Sequence, residues 1–182
     1  METLKNYTIN QETVLITGEY SSLGKLCTRV IEGERTFLVD LKPLEIINNT
    51  LLGLGSDFRG GRKSTRNILG EINMCPIKIN CNLGIWLFPT KSYNDDFCVW
   101  FSLMHVKKTK ARGVRRTEVF LSYNHTFIIE MKESSFNSRR QKAEDLREAM
   151  FNNSNRPLTF FVEPKKGFNI QQKEGINPYL IF

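Results

Sequence analysis

A chain of 182 residues with 40% hydrophobic and 11% aromatic content has the make-up of one globular domain, with or without an appendage, and excludes both a disordered polymer and two large domains. Its 26 Lys and Arg against 19 Asp and Glu give a net charge of +7, which predicts an anionic partner: nucleic acid or an acidic membrane surface. Residues 1–6 lack the apolar core of a signal peptide and no stretch is long enough to cross a bilayer, so the expected location is the cytoplasm, associated with the nucleoid if the partner is DNA.

In chain order, the β-branched runs at residues 13–16 and 36–41 predict strands, with Glu32-Gly33-Glu34 as the turn before the second. Pro43 suits a first helical turn. Leu44, Ile47 and Leu51 recur at i, i+3 and i+7 and predict a short helix over 42–52, closed by Gly53 and Gly55. A basic cluster follows, with Arg59, Arg62, Lys63 and Arg66 around Gly60-Gly61, and its glycines predict a loop whose backbone can approach an anion. Residues 77–79 and 85–88 predict strands, and the apolar run 97–106 a strand buried on both faces. Residues 117–121 and 126–130 alternate about Tyr123-Asn124-His125 and predict a hairpin. From Ser135 the period changes to that of an amphipathic helix, with Phe136, Ala143, Leu146 and Met150 on one face and Ser134 or Ser135 as cap. Asn152-Asn153-Ser154-Asn155 has linker composition. The expected organisation is therefore an α+β domain over 1–151, mainly antiparallel sheet, with an appendage over 152–182 whose apolar stretches dock on the domain or meet another protein.

Between the strands at 97–106 and 117–121 lies the densest charge in the chain, Lys107, Lys108, Lys110, Arg112, Arg115 and Arg116, with no acidic residue among them. Like charges this close repel, and a phosphate backbone would offset that repulsion while releasing its condensed counterions. If the two flanking strands pair, the run becomes a projecting ribbon with Gly113 near its bend. Such a finger suits the minor groove, which narrows and deepens in negative potential over A·T-rich sequence. No helix-turn-helix, zinc finger or exposed aromatic strand of the RNA-binding kind is evident, and a membrane-surface role would want an amphipathic basic helix instead. Alternatively, the chain is a protein-interaction module, or a diverged regulator, whose basic surface serves solubility or non-specific nucleic-acid binding.

Other chemistry is sparse. Cys27, Cys75, Cys81 and Cys98 stand at irregular spacings that suit core thiols and no metal site. Asp40-Leu41-Lys42, with Asp57 as a distant second ligand, echoes half of a metal-dependent nuclease site, although Lys42 and Pro43 are better explained as a helix start with Asp40 near the cap. His105 and His125 suggest no triad. The expectation is no enzymatic activity, no cofactor and no metal.

Four blocks carry a family resemblance: Lys42-Pro43-Leu44-Glu45-Ile46, Gly61-Arg62-Lys63, Leu87-Phe88-Pro89-Thr90, and Cys98-x-Trp100-Phe101-Ser102-x-x-His105-Val106. In this order and spacing the chain resembles the ComK-type competence transcription factors of Gram-positive bacteria over about residues 13–151. The resemblance implies a transcriptional activator of DNA-uptake genes that recognises paired A/T-rich boxes in promoters through the minor groove as a multimer. It also implies control by a protease adapter of the MecA type, which binds a short C-terminal motif. The matching positions here are Phe160, Phe161, Val162, Pro164 and Lys165, with Glu163 where the family has an aromatic residue.

Overall fold

The structure, a computed structural model, describes residues 3–154 together with the backbone of 169–170 and 179–180. The first half of the chain builds a seven-stranded sheet from β1 (Thr3–Leu4), β2 (Thr13–Tyr20), β3 (Leu26–Glu32), β4 (Arg35–Val39), β5 (Ile77–Asn80), β6 (Ile85–Pro89) and β7 (Trp100–Ser102). Its order is β1-β4-β3-β2-β7-β6-β5, with β1 parallel to β4 and every other neighbour antiparallel. Between β4 and β5 run two helices, α1 (Pro43–Gly53) and α2 (Phe58–Leu69). A second sheet of three antiparallel strands follows, β8 (Val106–Ala111), β9 (Thr117–Leu121) and β10 (Thr126–Ile129), and then the helix α3 (Glu133–Ser154). The short pair β11 (Asn169–Ile170) and β12 (Tyr179–Leu180) is antiparallel.

Alternation along the large sheet divides the interior in two. Ile16, Ile85, Leu87 and Trp100 enter one core with Ile46, Ile47 and Leu51 of α1 and Phe58 of α2. Their neighbours Leu15, Trp86, Phe88 and Phe101 enter the other, against Val119 and Leu121 of β9 and Phe136, Ala143 and Leu146 of α3. Phe136 meets Phe101 and Phe88 edge-on, with centroids 5.2 Å and 5.5 Å apart, so the aromatic cluster joins the sheet to α3. Gly18 is required by close approach, because a Cβ there would lie 1.9 Å from the Asp96 carbonyl oxygen.

The α+β class and its mainly antiparallel sheet agree with the sequence reading, and three local readings need correction. Residues 59–66 form α2, not a loop: the Asp57 carboxylate accepts from the Gly60 N–H at 2.8 Å, the Asn48 side chain accepts from the Phe58 N–H, and the buried Thr65 hydroxyl donates to the Pro76 carbonyl. These tertiary bonds offset the poor helix propensity of two adjacent glycines, each costing about 1 kcal/mol relative to alanine. Of residues 97–106 only Val106 pairs with 117–121, opposite Leu121. The run breaks after Ser102 into a 3-10 turn, Leu103–His105, which sends Trp100–Ser102 to the large sheet and leaves the basic segment itself as the partner of β9. Finally, α3 begins at Glu133, so Ser134 and Ser135 lie inside its first turn instead of capping it, and it runs through Asn152–Ser154, where the Ser154 hydroxyl donates to the Met150 carbonyl.

Candidate nucleic-acid interface

Four of the six cations of the basic run stand on one hairpin without an ion pair among the described residues. In β8, Lys108 is opposite Phe120 and Lys110 opposite Glu118, while Thr109 faces Val119 and the core; Lys107 occupies a register shift between Val106 and Lys108. The strand therefore keeps its inward positions apolar or small and turns its lysines to solvent. Thr109 fastens the inward side, donating its hydroxyl to the Glu133 carboxylate of α3 at 2.6 Å and accepting from the Asn137 amide at 3.2 Å. At the far end the Arg112 N–H donates to the Arg116 carbonyl at 2.8 Å, leaving Gly113-Val114-Arg115 as the tip. Gly113 sits at φ +83°, a conformation that glycine alone adopts without strain.

Two of the six are tied back. Arg112 donates from Nε to Glu118 at 2.7 Å, and Arg116 pairs with Glu130 of the neighbouring loop at the same distance. The Glu118 side chain is only 11% exposed, and the hydrogen bond from Arg112 holds its carboxyl below the usual range while raising Arg112 above its own. Lys107, Lys108, Lys110 and Arg115 are exposed and have no ion pair among the described residues. Neither acidic partner stands inside the basic run, which is why the charge pattern gave no sign of the tethers. Their register in the hairpin is the only signal for them.

The second basic cluster divides differently. Arg59 and Lys63, one helical turn apart on α2, are exposed and without an ion pair among the described residues. Arg62 instead lies with its guanidinium carbon 3.9 Å from the Tyr93 ring centroid and 6.0 Å from that of Phe58. Arg66 donates to the Ile72 carbonyl at 3.2 Å and lies 3.8 Å from Glu71, bracing the end of its own helix. The structure does not merge the two clusters, since β8 packs on β9 and α3 whereas α2 packs on α3 and β5. Helix α3 stands between them.

The remaining candidates do structural work. Lys25 pairs with Asp40 at 2.6 Å and Asp57 caps α2, so the two carboxylates of the nuclease half-motif have separate partners. His105 and His125 each bond a backbone carbonyl at 2.7 Å, of Gln11 and Gly33, and both stitch the small sheet's connections to the large one. Burial lowers the pKa of His105. Cys27, Cys75 and Cys98 are buried free thiols and Cys81 is an exposed one. Among the described residues no helix is long and apolar enough to cross a membrane. The adapter-motif positions Phe160, Phe161, Val162, Pro164 and Lys165 lie outside the described residues.

Fold and surface together define a mixed α+β protein that presents exposed cations, without an ion pair among the described residues, on the β8–β9 edge of its three-stranded sheet. The chain belongs to the ComK protein family, whose sequence pattern it matches over residues 4–155. It is 32% identical over 136 residues to the Competence transcription factor of Bacillus subtilis (strain 168), a match that covers 75% of this chain and 70% of that protein. No solved structure matches it. The resemblance carried by the four sequence blocks is thus borne out.

Proposed function

We propose that this protein is a competence transcription factor that binds A/T-rich promoter DNA through the minor groove with the β8–β9 hairpin, as a multimer whose linked protomers add avidity. The observation that carries the reading is the hairpin itself: Lys107, Lys108 and Lys110 project from a strand whose inward side is fixed to α3, Arg115 projects from the tip, and none of the four has an ion pair among the described residues. Lysines on the edge strand β8 also block further strand pairing, a reason that does not extend to Arg115 at the tip. Arg59 and Lys63 on α2 supply a second phosphate contact, and Arg112 and Arg116 shape the tip while adding to its positive field. Family membership supports a regulator and not an enzyme, and it suits a protein that works in the cytoplasm at the nucleoid. Adapter binding through Phe160, Phe161, Val162, Pro164 and Lys165 belongs to the same proposal.

The test is the salt dependence of binding to an A/T-rich duplex. Log affinity should fall against log salt with a slope of about 0.9 for each phosphate contacted, and the combined change Lys107→Ala, Lys108→Ala, Lys110→Ala and Arg115→Ala should flatten that slope by about three to four units. A variant that retains both slope and affinity would remove the hairpin from the interface.

A further inference from the structure

The tip of the hairpin carries an apolar side chain that neither the fold nor the charge argument uses. Val114 is 78% exposed, between Gly113 and Arg115. A single exposed valine on a surface is ordinary. This one breaks a local rule, because turn positions favour Gly, Asn, Asp, Ser and Pro, whereas β-branched residues favour strands, and positions that break local rules without a packing gain are where function is expected.

The surroundings of Val114 point the same way. The bond from the Arg112 N–H to the Arg116 carbonyl closes the loop mouth, so only three residues reach beyond the paired strands. The two guanidiniums that flank the mouth are drawn backward onto Glu118 and Glu130. What remains at the leading edge is one compact apolar group and one unpaired cation, Arg115. A full two-stranded ribbon is broader than a minor groove about 6 Å wide, so the three-residue tip is the part that leads into a groove widened on binding.

We infer that Val114 reaches the floor of the minor groove and sets the preference for A·T pairs by excluding the guanine amino group. This rests on the minor-groove reading above. The chemistry is one of missing partners: an A·T pair shows only acceptors on the groove floor, and a G·C pair adds the N2 amino donor. Valine offers no acceptor. A guanine beneath it loses the water that had satisfied that donor and gains nothing in return, while the amino group also fills the space that the methyl groups need. Arg115 beside it supplies attraction to the negative potential, and Val114 supplies the discrimination.

Three duplexes separate this inference from the reading beneath it: one with an A/T-rich box, one with G·C at the central step, and one with inosine·cytosine there, which keeps the major-groove face of G·C but lacks the amino group. The wild-type protein should bind the A·T and inosine duplexes alike and the G·C duplex about tenfold more weakly. Val114→Thr keeps the shape and adds an acceptor, and Val114→Ala opens the space; both should bring the G·C penalty down to about twofold or less while the salt slope stays unchanged. Either variant retaining the full penalty would overturn the role of Val114 and leave the minor-groove reading standing. Inosine behaving like guanine would place the readout in the major groove and overturn both.

Discussion

The two basic clusters look alike as sequence and behave differently as structure. In the β8–β9 hairpin, strand register puts the lysines on the solvent side and ties only Arg112 and Arg116, so most of the charge stays available. In α2, helical periodicity points every third or fourth residue inward, which turns Arg62 onto Tyr93 and Arg66 onto the Ile72 carbonyl and leaves Arg59 and Lys63 outside. Charge density in a sequence is therefore not the charge a surface offers. The backbone period decides which cations remain free.

Substitutions on α2 and in the hairpin can break this contrast. The largest effect on stability belongs to Arg62→Ala, which removes a half-buried guanidinium stacked on Tyr93 and should cost about 1–2 kcal/mol in denaturant unfolding while leaving the salt slope of DNA binding in place. A change in slope with no change in stability would make Arg62 a contact residue and erase the distinction. Next comes the pair Arg59→Ala and Lys63→Ala, which should leave stability within about 0.5 kcal/mol of wild type and lower the salt slope by about two units. An unaltered slope would confine the phosphate contacts to the hairpin.

The smallest effect concerns the tether at the base of the tip. The Glu118 carboxyl is held below its ordinary value by Arg112, so the contribution of the pair is complete above the unfolded carboxylate range and is lost as pH falls through the depressed folded value. Thermal midpoints of wild type and Glu118→Gln should therefore differ at pH 6 and converge toward pH 3. A gap that persists at low pH would show that Glu118 acts by packing instead of charge.

Much of the hairpin was legible because its evidence is local. The alternation at 117–121 and 126–130, the turn at Tyr123 and Asn124 with φ near +57°, and Gly113 at a bend are each properties of a few adjacent residues. The pairing of β8 was misread because an apolar run, 97–106, looks like one strand until the turn at Leu103–His105 divides it. Helix α2 was missed for the opposite reason. Gly60-Gly61 and the crowded charges argue against a helix locally; Asp57, its N-cap, was the one local signal, and the other support comes from Asn48, Pro76 and Tyr93, none of which a local window contains. Strand β3 was missed because its buried residues Cys27, Thr28 and Val30 do not alternate; antiparallel pairing with β2 and β4 places it. The tethers Glu118 and Glu130 needed the register itself.

The placement of α3 has a mechanical consequence. Its first turns hold β8 through Glu133 and Asn137, and the same helix packs on α2, so both cationic surfaces are bolted to one strut. Neither can be repositioned without prying that strut from the aromatic layer beneath it, where Phe136 is wholly buried. A duplex that engages both must supply the compliance from its own helix, and the easily deformed steps of a binding site become as informative as the bases that the protein touches.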